Sequence, residues 1–71
     1  MTNSDKNKIW QVLTKYDNTL VGLCDSLSNI LQQKADSSDY KNVFINYRKM
    51  DLEDTKLVDS IIGSKIMSVI N

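Results

Sequence analysis

The sequence has no histidine, no proline and only one cysteine among its 71 residues. A single cysteine excludes a disulfide within the chain, and one cysteine with no histidine excludes the common structural zinc sites. Nine basic and nine acidic residues cancel, so the excess positive charge typical of nucleic-acid-binding proteins is absent. What is left is a short chain that buries only about 60% of its unfolded surface on folding.

Long apolar segments are missing as well. The most apolar stretch, residues 57–70, is interrupted by Asp59 and Lys65, whereas a membrane span needs about 20 apolar residues. Residues 1–8 are polar and lack the apolar core of a cleaved secretory signal. These features predict a cytoplasmic protein without a membrane span, exported only if it carries a signal that is not cleaved.

An uninterrupted stripe of apolar residues at heptad spacing indicates that the first half of the chain is helical. It predicts a helix over about residues 5–34, capped by Ser4 or Asp5 and continuing through Gly22. Trp10 and other apolar neighbours make this face wider than a two-stranded seam, which favours bundle packing. The stripe consists of Ile9, Leu13, Tyr16, Leu20, Leu23, Leu27 and Ile30.

A polar turn at residues 35–39 precedes a second helical pattern, which Ser37 or Ser38 is expected to cap. This pattern thins at the charged residues 51–56 and then resumes. Its apolar members are Tyr40, Val43, Phe44, Tyr47, Met50, Leu57, Val58, Ile61, Ile62, Ile66, Val69 and Ile70.

Two all-α arrangements fit these patterns. In the first, residues 39–70 form one helix, and the chain is an antiparallel helical hairpin. In the second, Asp51 caps a third helix, with Asp54 in the position of a capping-box partner, and the chain is a small three-helix bundle. The absence of glycine and proline between Met50 and Leu57 favours the hairpin.

Either arrangement has a small core, and below about 70–80 residues one core rarely contributes more than 3–5 kcal/mol. We therefore expect the chain to associate with copies of itself or with a helical partner. Placing Asp at Leu20 or Ile62 should abolish that association, because an unpaired buried charge is costly. The predicted interaction face comprises Ile9, Trp10, Leu13, Tyr16, Leu20, Leu23, Leu27, Ile30, Val43, Tyr47, Val58, Ile61, Ile62 and Ile66.

No group of residues has the pattern of a catalytic or metal site. Cys24 has no histidine base available and borders the apolar stripe, so it is interpreted as a packing residue. Glu53 and Asp54 are adjacent in the sequence. Because neighbouring side chains on a helix point about 100° apart, the two carboxylates do not converge as a catalytic acid–base pair requires. Both glycines are isolated, so no phosphate-binding loop exists. The sequence predicts no enzyme, no metal, no cofactor and no small-molecule substrate.

Two features leave other kinds of binding open. Trp10 belongs either to the core or to an interface, since tryptophan is frequent at binding hot spots. Arg48 and Lys49 form the only basic pair, which is too few for the roughly six to ten phosphates of a typical nucleic-acid site. A nucleic-acid interface would require folding to bring Lys41, Arg48, Lys49 and Lys56 onto one face.

Two segments resemble the needle subunits of bacterial type III secretion systems. Lys15, Tyr16 and Asp17, followed by the leucines of the stripe, are similar to the first arm of those subunits. Residues 44–47 and the later positions Lys56, Ser60, Ile62, Lys65 and Ile66 are similar to the second arm of the shorter members.

The likeness covers about two thirds of the chain in separate pieces, and the prolines of the family's loop are missing. It implies a helical polymer that forms a hollow secretion conduit, or one of the small two-helix co-chaperones that bind its subunit. The resemblance carries over no site residue beyond the apolar packing positions.

The favoured function is a non-enzymatic assembly subunit that packs its apolar stripes on itself or on a helical protein partner. The alternative is a small monomeric regulator or inhibitor that folds as a three-helix bundle and binds one protein target.

Overall fold

The computed structural model describes residues 1–71 as four α-helices and one short 3₁₀ helix, with no strand. The all-α prediction is therefore confirmed. The elements are α1 (Asn3–Tyr16), α2 (Val21–Leu31), α3 (Ser37–Asn46), the 3₁₀ helix η1 (Tyr47–Lys49) and α4 (Leu52–Ile70).

Helix α1 begins at Asn3, six residues before the first member of its apolar stripe, Ile9. Thr2 is the N-cap, and it forms a capping box in which its hydroxyl accepts the N–H of Asp5 at 3.1 Å while the Asp5 carboxylate accepts the N–H of Thr2. The box satisfies two backbone N–H groups that would otherwise lack partners. The expectation that Ser4 or Asp5 is the N-cap was therefore wrong, although Asp5 takes part in the cap.

The expected helix over residues 5–34 is divided by a turn at residues 17–20. The carbonyl of Tyr16 accepts the N–H groups of Thr19 and Leu20, at 3.0 and 2.8 Å. Asp17, Asn18 and Thr19 are poor helix formers because their side chains compete for backbone hydrogen bonds. The stripe continues on α2, which packs back against α1.

The second turn follows α2 and positions α3. Gln33 adopts a left-handed conformation with φ 60°, as residues after a helix C-terminus often do. Asp36 then caps α3 in a second capping box, accepting the N–H of Asp39 at 3.1 Å. The cap is therefore Asp36 rather than the expected Ser37 or Ser38. The hydroxyl of Ser38 instead donates to Asp36, and this is the main cause of the lowered pKa of that carboxyl.

A third break separates α3 from α4. Helix α3 tightens into η1, Met50 is extended and buried, and Asp51 occupies the N-cap position of α4. A break near Asp51 was the distinguishing feature of the three-helix alternative. The side chain of Asp51 nevertheless caps nothing. With the additional turn at residues 17–20, the chain has four helices rather than the two or three expected.

Thirteen buried apolar side chains form one core cluster. Each helix packs against the next one along the chain, and α1 also packs against α4, which closes the arrangement. The core members are Ile9, Val12, Leu13, Tyr16, Leu23, Cys24, Leu27, Ile30, Val43, Met50, Val58, Ile62 and Ile66.

Candidate protein-binding surface

Most of the predicted interaction face lies inside the single chain. Leu20, Tyr47 and Ile61 are partly buried, and Trp10 is 56% exposed. The heptad stripe therefore forms the intramolecular core and is not available on the surface. Ten of the predicted residues are buried: Ile9, Leu13, Tyr16, Leu23, Leu27, Ile30, Val43, Val58, Ile62 and Ile66.

A different set of apolar side chains reaches the surface. Two of them, Phe44 and Ile45, are adjacent on α3 and are 45% and 58% exposed, while Val43 beside them is fully buried. The other large exposed apolar residues are Met1, Trp10, Val21, Leu52 and Met67.

The exposed side of α3 combines these apolar residues with positive charge. At about 100° per residue, Lys41 projects between Phe44 and Ile45, and these three fall within an arc of about 100°. Arg48 follows α3 in η1. All four are exposed. We call Lys41, Phe44, Ile45 and Arg48 the α3 face.

Tyr47 fixes the orientation of Phe44. The two rings lie 5.8 Å apart between centroids at a tilt of 60°, a favourable aromatic arrangement. The Tyr47 hydroxyl donates to Asp59 at 3.2 Å, and the Tyr47 carbonyl accepts the hydroxyl of Thr55 at 3.0 Å. Burial and then the negative charge of Asp59 raise the pKa of the Tyr47 phenol, so this hydroxyl stays a donor at neutral pH. Phe44 thus rests on a ring that is itself bound to α4.

Gly63 permits this arrangement of Asp59. A Cβ atom at position 63 would lie 2.6 Å from the Asp59 Oδ1 atom, the atom that accepts the Tyr47 hydroxyl. Because glycine has no side chain, position 63 leaves room for the Asp59 carboxylate.

Asparagine side chains bind the other flank of α3 to α2. The Asn42 amide donates to the carbonyl of Gly22 at 2.8 Å and to the hydroxyl of Ser26 at 3.0 Å. Asn46, which is buried, donates to the Asn42 carbonyl at 2.8 Å. Since α3 is hydrogen-bonded on both flanks, the α3 face stands on a fixed backbone.

Lys15 and Tyr16 join the end of α1 to the start of α4. Lys15 Nζ lies 2.8 Å from a carboxylate oxygen of both Asp51 and Asp54. The Tyr16 hydroxyl donates to Asp54 at 2.6 Å and accepts the backbone N–H of Asp51 at 2.8 Å. We call these four residues the α1–α4 cluster.

The charges of the α1–α4 cluster stabilise one another. The pKa of Lys15 is raised by its hydrogen bonds to Asp51 and Asp54. Burial alone would raise the pKa of Asp54, but hydrogen bonds from Lys15 and Tyr16 outweigh it and lower that pKa. Burial raises the pKa of Tyr16. The paired charges of the cluster thus connect α1 to α4.

Acid should weaken the fold through Asp54. Because the folded-state pKa is below the ordinary value of 3.8, the contribution of Asp54 is present above the unfolded pKa and is lost as the pH falls through the folded pKa. Asp54→Asn should reduce the fall in the free energy of unfolding between about pH 5 and pH 2. Urea denaturation at stepped pH measures this slope. Glu53→Gln, an exposed neighbour, is the control, and equal slopes for Asp54→Asn and the wild type would contradict the expectation.

Cys24 is a packing residue in this fold. It is buried, and its thiol donates to the carbonyl of Leu13 at 3.2 Å. Burial raises its pKa, and the charges of Asp17 and Asp25 act in the same direction. The thiol therefore stays protonated, which is the unreactive form.

One open groove of about 700 Å³ lies among the helices, with Asp5, Tyr40, Ile62 and Lys65 in its lining. Every buried side-chain nitrogen and oxygen in the chain has a hydrogen-bond partner. No three cysteine or acidic side chains come together as metal ligands. None of the helices has the length and apolar character needed to cross a membrane.

Comparisons with protein families, with curated proteins and with solved structures find nothing that matches this chain.

Proposed function

We propose that the chain is a non-enzymatic interaction protein that binds a helical segment of one target protein through the α3 face. The observation that carries this proposal is the exposure of Phe44 and Ile45 on a helix whose backbone is fixed on both flanks. Exposed aromatic and aliphatic side chains on a rigid element bind with little loss of conformational entropy.

This proposal favours the small single-target regulator over the assembly subunit. Self-assembly through the heptad stripe would require residues such as Leu23 and Leu27, which are fully buried within one chain. The type III secretion resemblance stays a prediction. A needle-like polymer that assembles through the heptad stripe would require the stripe to leave the core.

Sedimentation velocity from low to high micromolar concentration, with circular dichroism on the same samples, tests this preference. We expect a compact helical monomer at every concentration, because the core is complete within one chain. Growth in size together with helicity would contradict the single-target proposal and support assembly through the stripe.

Binding itself is tested with synthetic amphipathic helical peptides that carry a leucine stripe, using fluorescence anisotropy. Phe44→Ala and Ile45→Ala should each weaken binding about tenfold or more, as at interface hot spots. Trp10→Ala is the matched control, since it removes an exposed aromatic side chain from α1. If no peptide binds, or if only Trp10→Ala weakens binding, the α3 face is not the interaction site.

A further inference from the structure

Positive charge is concentrated on one segment of a chain whose net charge is zero. Residues 40–50 contain three basic residues and no acidic one. All three, Lys41, Arg48 and Lys49, are exposed. The only ion pairs within the chain are those of Lys15, so none of the three basic groups forms an ion pair within the chain.

These charges stand beside the apolar pair of the α3 face. Lys41 lies on the exposed side of α3 with Phe44 and Ile45, and Arg48 and Lys49 follow directly in η1. A partner that covers Phe44 and Ile45 must therefore approach two or three positive charges. A basic partner would be repelled, because like charges brought together at an interface cost several kcal/mol.

We propose that the α3 face binds an acidic amphipathic helix of a partner protein, an inference that rests on the proposed function. The apolar side of that helix covers Phe44 and Ile45, and its carboxylates lie against Lys41 and Arg48. The face runs over eight residues, about 12 Å at 1.5 Å per residue. This length matches two turns of a partner helix, the spacing of paired anchors in helix recognition.

Nucleic acid and membrane fit the same surface less well. Lys41, Arg48, Lys49 and Lys56 are together too few for the roughly six to ten phosphate contacts of a typical nucleic-acid site. A helix that lies on a membrane buries a broad apolar side, whereas the broad apolar side of α3 includes Val43 and faces the core.

The experiment compares three 20-residue peptides that share one leucine stripe and carry glutamate, glutamine or lysine at the remaining positions. Labelled peptides are titrated with the full chain by fluorescence anisotropy at two salt concentrations. The glutamate peptide should bind at least about tenfold more tightly than the lysine peptide, and added salt should reduce the difference. Arg48→Glu and Lys41→Glu should each weaken glutamate-peptide binding about tenfold.

Lys8→Glu is the matched control, because it reverses an exposed charge on α1 and should leave the affinity unchanged. Circular dichroism of each variant confirms that it is folded. Equal affinity for all three peptides, with loss on Phe44→Ala, would overturn the acidic preference and leave the proposed function standing. Binding to anionic vesicles or to DNA without binding to any peptide would overturn both.

Discussion

Replacing Ile62 with Asp is expected to unfold the isolated chain. Ile62 is 3% exposed and belongs to the single core cluster. Loss of the buried aliphatic side chain costs about 2–5 kcal/mol, and burial of an unpaired carboxylate adds several more. In a chain of this length one core rarely contributes more than about 3–5 kcal/mol, so the combined loss exceeds the stability of the fold. Circular dichroism of the dilute variant measures the loss of helix.

Ile45→Asp is the matched control for this experiment. It makes the same chemical change at a side chain that is 58% exposed, so the variant should keep its helicity while losing peptide binding. The sequence alone predicted that Ile62→Asp would abolish association, whereas the burial of Ile62 makes loss of folding the expected effect. A folded Ile62→Asp variant that fails only to associate would restore the original interpretation.

Replacing Tyr16 with Phe should lower the free energy of unfolding by about 2–3 kcal/mol. The variant loses the hydroxyl that donates to Asp54 and accepts the N–H of Asp51. A hydrogen bond to a charged group contributes about 1.5–3 kcal/mol, and an unpaired backbone N–H adds to the loss. Urea denaturation at neutral pH, followed by circular dichroism, measures the change.

Tyr40→Phe provides the comparison, because the Tyr40 hydroxyl makes no hydrogen bond within the chain. Its removal should change the stability very little. Equal losses for Tyr16→Phe and Tyr40→Phe would show that the α1–α4 cluster contributes nothing measurable beyond packing.

The sequence predicted the class of fold. Ten of the residues that it assigned to an interaction face form most of the core instead, because heptad spacing reports which side chains can be buried together. It did not predict the turn at residues 17–20. The step from Tyr16 to Leu20 keeps the stripe in phase, so spacing alone cannot distinguish a continuous helix from two helices that fold back on each other. The low helix propensity of Asp17, Asn18 and Thr19 was the available signal.

The α3 face was missed for a related reason. Phe44 was interpreted as a member of the apolar stripe, and which side of a helix is buried depends on where its neighbours pack. In this fold α2 and α4 cover the sides that carry Asn42 and Tyr47, and Phe44 and Ile45 lie away from both. The absence of acidic residues from segment 40–50 was visible in the sequence. Only the fold shows that its basic residues lie on the surface beside Phe44 and Ile45.

The α1–α4 cluster also bears on how long a folded molecule persists. Its side-chain hydrogen bonds join residues that are 36 to 39 positions apart, whereas the other helix pairs are consecutive in the chain. Contacts between distant residues require the longest loop to close, so we expect this contact to form after the transition state for folding. An interaction absent from the transition state slows unfolding and leaves the folding rate almost unchanged. The contact between the first and the last helix then largely determines the lifetime of the folded chain.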